Sequence, residues 1–137
     1  METSFITGKI LITVSVIIYG FVPLLVDLNK THATNPLWTG HSRFHVVWQV
    51  MITFFIALLS LYFLWIKQYE VENILISFLL GLSVLGSFFI NVILMKFYGG
   101  TLADENGISK TFNINPNLLG FAIAIVMLIL GVLLILL

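Results

Sequence analysis

Four long apolar runs constrain the fold of this chain more than any other feature of its sequence. They are Ile10–Val26, Phe44–Ile66, Ile74–Met95 and Leu118–Leu137. A helix needs about 20 apolar residues to cross the roughly 30 Å hydrocarbon core of a bilayer, and the runs lack the period-two alternation of membrane β-strands. The first run is short, but Phe5 and Ile6 extend it while Lys9 snorkels to the interface. The sequence therefore predicts an all-α integral membrane protein, a bundle of four transmembrane helices.

The composition supports a single membrane domain. We expect the spans at about residues 6–27, 42–66, 73–97 and 117–137 of one domain covering 1–137. Hydrophobic residues make up 60% of the chain and charged residues 9%, whereas soluble domains carry about 25% charged residues. The net charge of zero argues against a nucleic-acid partner. The absence of cysteine excludes disulfides and thiolate chemistry. Because the chain is so apolar, the lipid bilayer is its first expected partner.

An even number of spans places both chain ends on the same side of the membrane, which we call the terminal side. The opposite side, which we call the loop side, carries the long connections 27–43 and 96–117. Near the spans, the loop side has four cationic residues and the terminal side two: Lys30, Arg43, Lys96 and Lys110 against Lys9 and Lys67. The positive-inside rule therefore predicts that the loop side is cytoplasmic and that the termini lie opposite.

The connection between the third and fourth spans predicts a small β-hairpin. Asn106-Gly107 is a strong hairpin-turn signal. The segments Tyr98–Ala103 and Ile108–Ile114 flank it as candidate strands. Asn115 or Asn117 is expected to cap the fourth helix.

Small residues recur at a spacing of four in the third and fourth spans. The pairs are Ser77 with Gly81, Ser83 with Ser87, and Gly120 with Ala124. Such pairs let membrane helices approach closely. We expect them to pack inside the bundle, with a homodimer through the same surfaces as the alternative.

The polar residues concentrate between the first and second spans and at the start of the second. Segment 27–49 holds all three histidines, two of the three tryptophans and one of the three prolines. Polar groups within a membrane protein are costly and usually functional. The candidate ligand-binding residues are His32, Asn35, Trp38, Arg43, Trp48 and Gln49, with Asn91 at similar depth in the third span.

The leading interpretation of this segment is a small-molecule site. His41, His45 and Gln49 share one helical face, and we expect that face to turn into the bundle with Asp27 within reach. Asp27 would orient an imidazole and tune it as a proton donor or acceptor near neutral pH. His45, His41 and Asp27 are then the candidate catalytic residues, and Arg43 holds an anionic group. The expected ligand is a small amphipathic molecule such as a lipid, a sterol-like compound or a quinone. The site would bind this molecule, and an enzyme would also convert it chemically.

Two further interpretations stay open. His41 and His45 have a familiar metal-ligand spacing, and His32 with Asp27 would complete a set suited to zinc or iron. That motif is incomplete, because Ser42 stands where helical zinc proteases carry a glutamate base. In the third interpretation these residues only organise a loop and contact lipid headgroups, and the chain is a structural subunit of a membrane complex.

The polar segment also carries a resemblance. The string Asn29-x-Thr-His32-x-x-Asn35-Pro36-x-Trp38-x-x-His41-x-Arg43-Phe44-His45 resembles a pattern found in small four-span membrane proteins of bacteria and fungi. A four-helix bundle with a polar mouth is also similar in architecture to DoxX-like and emopamil-binding-type membrane proteins. The resemblance implies the four-span layout, and a likeness of fold does not by itself establish function.

Overall fold

Four long helices make up the structure, a computed structural model that describes residues 2–66, 71–103 and 114–137. They are α1 (Glu2–Val26), α2 (Gly40–Ile66), α3 (Val71–Phe97) and α4 (Pro116–Leu136). Each is long and apolar enough to cross a membrane, which confirms the prediction of a multi-pass, all-helical chain. The predicted spans agree to within two residues at most ends, but α1 begins about four residues earlier than predicted, at Glu2.

Side-chain caps fix where α2 and α4 begin. The side chain of Asn115 accepts hydrogen bonds from the backbone N–H groups of Asn117 at 2.9 Å and Leu118 at 3.4 Å, as predicted for one of the two asparagines. Thr39 caps α2 in the same way by accepting from the N–H of Ser42 at 3.2 Å. Each cap satisfies an N–H group that the first turn of a helix leaves without an internal partner.

The predicted β-hairpin is not supported. No strand forms in the described part of the chain, and residues 104–113, which include the expected turn, lie outside the described residues. The first candidate strand, Tyr98–Ala103, is instead turn and irregular structure. Gly99 adopts a φ of 73°, and the N–H of Gly100 donates to the carbonyl of Met95 at 2.8 Å. This closure turns the chain back over the end of α3, so it does not continue as an extended strand.

The first and last helices pack against each other through glycine. A Cβ added to Gly8 would lie 2.5 Å from the carbonyl oxygen of Gly131, and one added to Gly131 would lie 2.7 Å from that of Gly8. The two backbones therefore touch, which only glycine permits. The contact also shows that α1 and α4 run antiparallel, so both ends of the chain lie at the same end of the bundle.

All four helices contribute to one apolar core. Its buried side chains are Ile12, Val16, Tyr19, Ala57, Leu64, Ile74, Leu85, Ala124, Leu128 and Val132. The small pairs predicted to pack inside divide between the core and the surface. Ser77 and Ala124 are buried, and Gly81 faces Leu128, whereas Ser83 and Ser87 are exposed on α3.

Two of the helices contain a π-helical turn, Ile17–Phe21 in α1 and Tyr62–Ile66 in α2. Pro23 explains the first of them. Its ring lacks an N–H and crowds the carbonyl four residues earlier, so the turn that ends just before it widens. Such turns often occur at functional positions.

Candidate functional site

The loop that follows α1 is built by its own hydrogen bonds. Asn29 donates through Nδ2 to the carbonyls of Leu25 at 3.2 Å and Val26 at 3.0 Å, at the end of the helix. Its Oδ1 accepts from the backbone N–H of Thr31 at 2.8 Å. Asn29 therefore both closes α1 and starts the turn, as asparagine commonly does.

Asn35 holds the second half of this loop from inside. It is fully buried. Its Nδ2 donates to the carbonyl of Thr31 at 3.0 Å, and its Oδ1 accepts from the N–H of Leu37 at 3.0 Å. The sequence predicted Asn35 as a ligand contact, and the structure places its side chain within the loop, where it fixes the positions of its neighbours.

Asp27 and His32 form a half-buried pair at the end of α1. The Oδ1 of Asp27 lies 3.5 Å from the Nδ1 of His32, and the two side chains are 21% and 19% exposed. The same Nδ1 lies 2.8 Å from the hydroxyl of Thr31. Burial raises the pKa of the Asp27 carboxyl, and the nearby His32 imidazole opposes that rise. A carboxyl with a raised pKa beside a specific charge partner is a candidate functional residue.

Trp38 and Arg43 complete this part of the site. The ring of Trp38 meets that of His32 edge-on, with centroids 5.3 Å apart. The carbonyl of Trp38 accepts from Nε of Arg43 at 3.1 Å and from Nη2 at 2.8 Å. This charge-assisted fork ties the loop to the first turn of α2. We call Asp27, His32, Trp38 and Arg43 the loop-side site.

His41 and His45 form a second pair, one turn apart on α2. Their Nε2 atoms lie 3.0 Å apart, and their rings are perpendicular with centroids 4.4 Å apart. One ring nitrogen must donate and the other accept at this distance. The prediction that these two residues share one helical face is confirmed.

The prediction that this face turns into the bundle is wrong. His41, His45 and Gln49 are all exposed, as are Phe44 and Trp48. α2 presents a different face to the core, with Val50, Ala57, Ser60 and Leu64 buried. At 3.6 residues per turn the histidine stripe lies roughly a quarter of a turn from that face.

Asn91 also takes a local partner. It is exposed near the end of α3 and accepts a hydrogen bond from the hydroxyl of Tyr98. The predicted convergence of Asp27, His45, Gln49 and Asn91 is therefore not found. Asp27, His45 and Asn91 instead pair with residues close in sequence, which are His32, His41 and Tyr98. Tyr98 was missed by the sequence analysis, because its partnership depends on the turn at the end of α3.

The four predicted metal ligands are divided between two pairs. Asp27 pairs with His32, and His41 with His45. Within the described ranges, no group of three or more histidine, cysteine, aspartate or glutamate side chains comes together. Zinc sites in proteins use three or four protein ligands, so the predicted four-ligand site for zinc or iron is not assembled by this arrangement.

The fold and the site define a class of protein, a small four-span membrane protein with a folded polar loop at one membrane face. No protein-family model, curated protein or solved structure matches the chain. The likeness to DoxX-like and emopamil-binding-type proteins therefore stays a prediction.

Proposed function

We propose that this chain binds the polar head of a small amphipathic molecule at the loop side of the membrane. The observation that carries the proposal is the half-buried Asp27–His32 pair beside Trp38, at the point where two apolar spans meet water. Ligand sites typically combine apolar walls with a few fixed polar groups, and polar groups at the edge of a membrane span are costly unless they serve a purpose.

Each residue of the loop-side site has a role that its position suits. His32 and Asp27 offer hydrogen bonds and a proton to the head of the ligand. Trp38 forms an apolar wall beside the imidazole. Two N–H groups of Arg43 donate to the carbonyl of Trp38. The guanidinium has further donors, which could bind an anionic group. Acid–base conversion of the ligand would rest on the Asp27–His32 pair, in place of the predicted pairing of Asp27 with His41 or His45.

The exposed rings of α2 suit the tail of such a ligand. Phe44 is 63% exposed and Trp48 53% exposed, and both lie just inside the membrane from Arg43. Tryptophan is the residue most typical of this depth in membrane proteins. A molecule whose head occupies the loop-side site would lay its tail along this surface.

The proposal is tested by ligand binding to the purified chain in lipid nanodiscs. The probe is a fluorescent fatty acid, with its methyl ester as a neutral probe of equal length. We expect His32→Gln to weaken binding of the fatty acid about tenfold, the loss of one hydrogen bond to a charged group, and Arg43→Lys to weaken the acid more than the ester.

His41→Gln is the matched control, since it removes an exposed imidazole from the neighbouring turn of α2. We expect it to leave the affinity unchanged. Equal losses in His32→Gln and His41→Gln would mean that histidines contact headgroups without a defined site, and the proposal would then be wrong.

A further inference from the structure

A second group of polar side chains lies inside the bundle. The hydroxyl oxygens of Ser60 on α2 and Ser77 on α3 lie 2.7 Å apart, and both residues are fully buried. Tyr19 of α1 is also fully buried, lies next to Ser60 and packs its ring against Gly81. Ser15 precedes Tyr19 by one turn and is fully buried as well. We call Ser15, Tyr19, Ser60 and Ser77 the inner polar cluster.

Among the described residues, the hydroxyl of Ser15 has no hydrogen-bond partner, and that of Tyr19 lies beside Ser60 without completing a hydrogen bond of good geometry. Other hydroxyls on these helices bond a carbonyl one turn earlier, as Thr13 does with Lys9 and Ser83 with Leu79. A buried hydroxyl without a partner costs free energy, and buried polar groups in native proteins are nearly always bonded to protein or to ordered water. The two hydroxyls therefore point to a bound partner that can both donate and accept.

Polar side chains continue from this cluster toward the terminal side. Asn73 is 6% exposed and lies one turn before Ser77 on α3. Lys9 is 3% exposed, with its ammonium 4.2 Å from the centre of the Trp65 ring. Ser77 lies only about 9 Å along α3 from its first residue, at 1.5 Å per residue. Two further buried polar side chains thus lie between the cluster and the terminal side.

The two π-helical turns coincide with this region. Tyr19 lies within Ile17–Phe21, and Trp65 lies within Tyr62–Ile66. Trp65 donates through Nε1 to the hydroxyl of Thr13 at 2.8 Å. Both irregular turns thus carry a polar aromatic side chain, which is buried for Tyr19 and 44% exposed for Trp65.

We propose that the inner polar cluster is a hydration site within the membrane-spanning bundle. Ordered water bonds the hydroxyls of Ser15 and Tyr19 to Ser60 and exchanges with the terminal side past Asn73 and Lys9. The chemistry of the cluster suits water, because buried waters typically make about three hydrogen bonds to groups of this kind. The proposal does not depend on the loop-side site, because the two groups share no residue.

The absence of cysteine from the chain allows a direct test. Ser15→Cys introduces one thiol, whose S–H stretching band is isolated in the infrared spectrum and shifts when the proton exchanges with D₂O. Ala124→Cys is the matched control, because Ala124 is equally buried but belongs to the apolar core. We expect the thiol at position 15 to exchange several-fold faster than the thiol at position 124. Equal exchange rates would overturn the proposal.

A second variant keeps the test decisive if Ser15→Cys does not fold. Ser15→Ala removes a hydroxyl that has no partner among the described residues. When water satisfies that hydroxyl, its removal loses a hydrogen bond and lowers the thermal unfolding midpoint relative to Ser83→Ala, which is the expected result. If the hydroxyl is unpaired, its removal relieves a cost and raises the midpoint, which would overturn the proposal. Ser83→Ala, at an exposed position on α3, controls for loss of a helical hydroxyl.

Discussion

Asp27 occupies a position where its protonation is coupled to folding. Burial raises the pKa of its carboxyl in the folded chain above the unfolded value, while His32 limits the rise. A carboxyl with a raised pKa stabilises the folded state below its unfolded pKa of about 3.9. That contribution is lost as the pH rises through the folded pKa.

The loss of stability with rising pH gives a prediction for Asp27→Asn. The wild-type chain should lose stability as the pH rises from about 4 through the raised pKa of Asp27, whereas the variant, which cannot ionise there, should show a flatter profile. The measurement is the thermal unfolding midpoint in detergent at a series of pH values. Glu72→Gln removes a carboxylate from an exposed position at the terminal side and is the control. A variant profile as steep as that of the wild type would assign the pH dependence to other groups.

At the residue scale, the sequence indicates the segment that carries the proposed site but not how its residues pair. Asp27 and His32 are five residues apart and meet only because Asn29 and Asn35 fold the loop back on itself. His41 and His45 pair as their spacing predicts. The direction of their face is decided by where the other three helices pack, and nothing in a four-residue spacing contains that information. The inner polar cluster could not be predicted from the sequence either, because a serine in an apolar run is also a normal packing residue.

At the scale of helices, the contact between α1 and α4 predicts a clear effect of adding a single carbon. Gly131→Ala would place a Cβ 2.7 Å from the carbonyl oxygen of Gly8, which forces the helices apart. We expect a loss of about 1–3 kcal/mol, as for other overpacked positions. The measurement is the free energy of unfolding in mixed detergent micelles.

Gly86→Ala is the control for this substitution. Gly86 lies in the middle of α3, and a Cβ added there meets no other atom within 4 Å. Alanine stabilises a helix interior by roughly 0.5–1 kcal/mol relative to glycine, so this variant should be neutral or more stable. If both variants lose stability equally, the glycine contact is not what holds α1 against α4.

The helices themselves could be predicted well, and the elements between them could not. Hydrophobic length alone indicates a membrane span, because the hydrocarbon core of bilayers is about 30 Å thick with little variation. The hairpin prediction relied on a turn signal, whereas the chain after α3 first closes on Met95 through Gly100. The glycine contact joins residues at opposite ends of the sequence, and the spacing rules that located the predicted pairs operate only within one helix.

For the whole molecule, the antiparallel bundle predicts where water-soluble reagents reach the chain. In the cysteine-free background, Thr3→Cys and Glu72→Cys should react from one side of a sealed membrane and Leu37→Cys from the other. All three residues are exposed. A membrane-impermeant maleimide applied to intact cells measures this. The positive-inside rule further predicts that Leu37→Cys is the protected one. Labelling of Leu37→Cys together with Thr3→Cys would contradict the four-span arrangement.

The glycine contact between α1 and α4 also bears on how the chain is made. During synthesis the first helix enters the membrane well before the last one has left the ribosome. Until α4 arrives, the surface around Gly8 faces lipid tails, which do not fill a backbone groove as closely as another backbone does. The α1–α4 contact can therefore form only after α4 has entered the membrane, and α1 lacks this partner during the earlier part of synthesis.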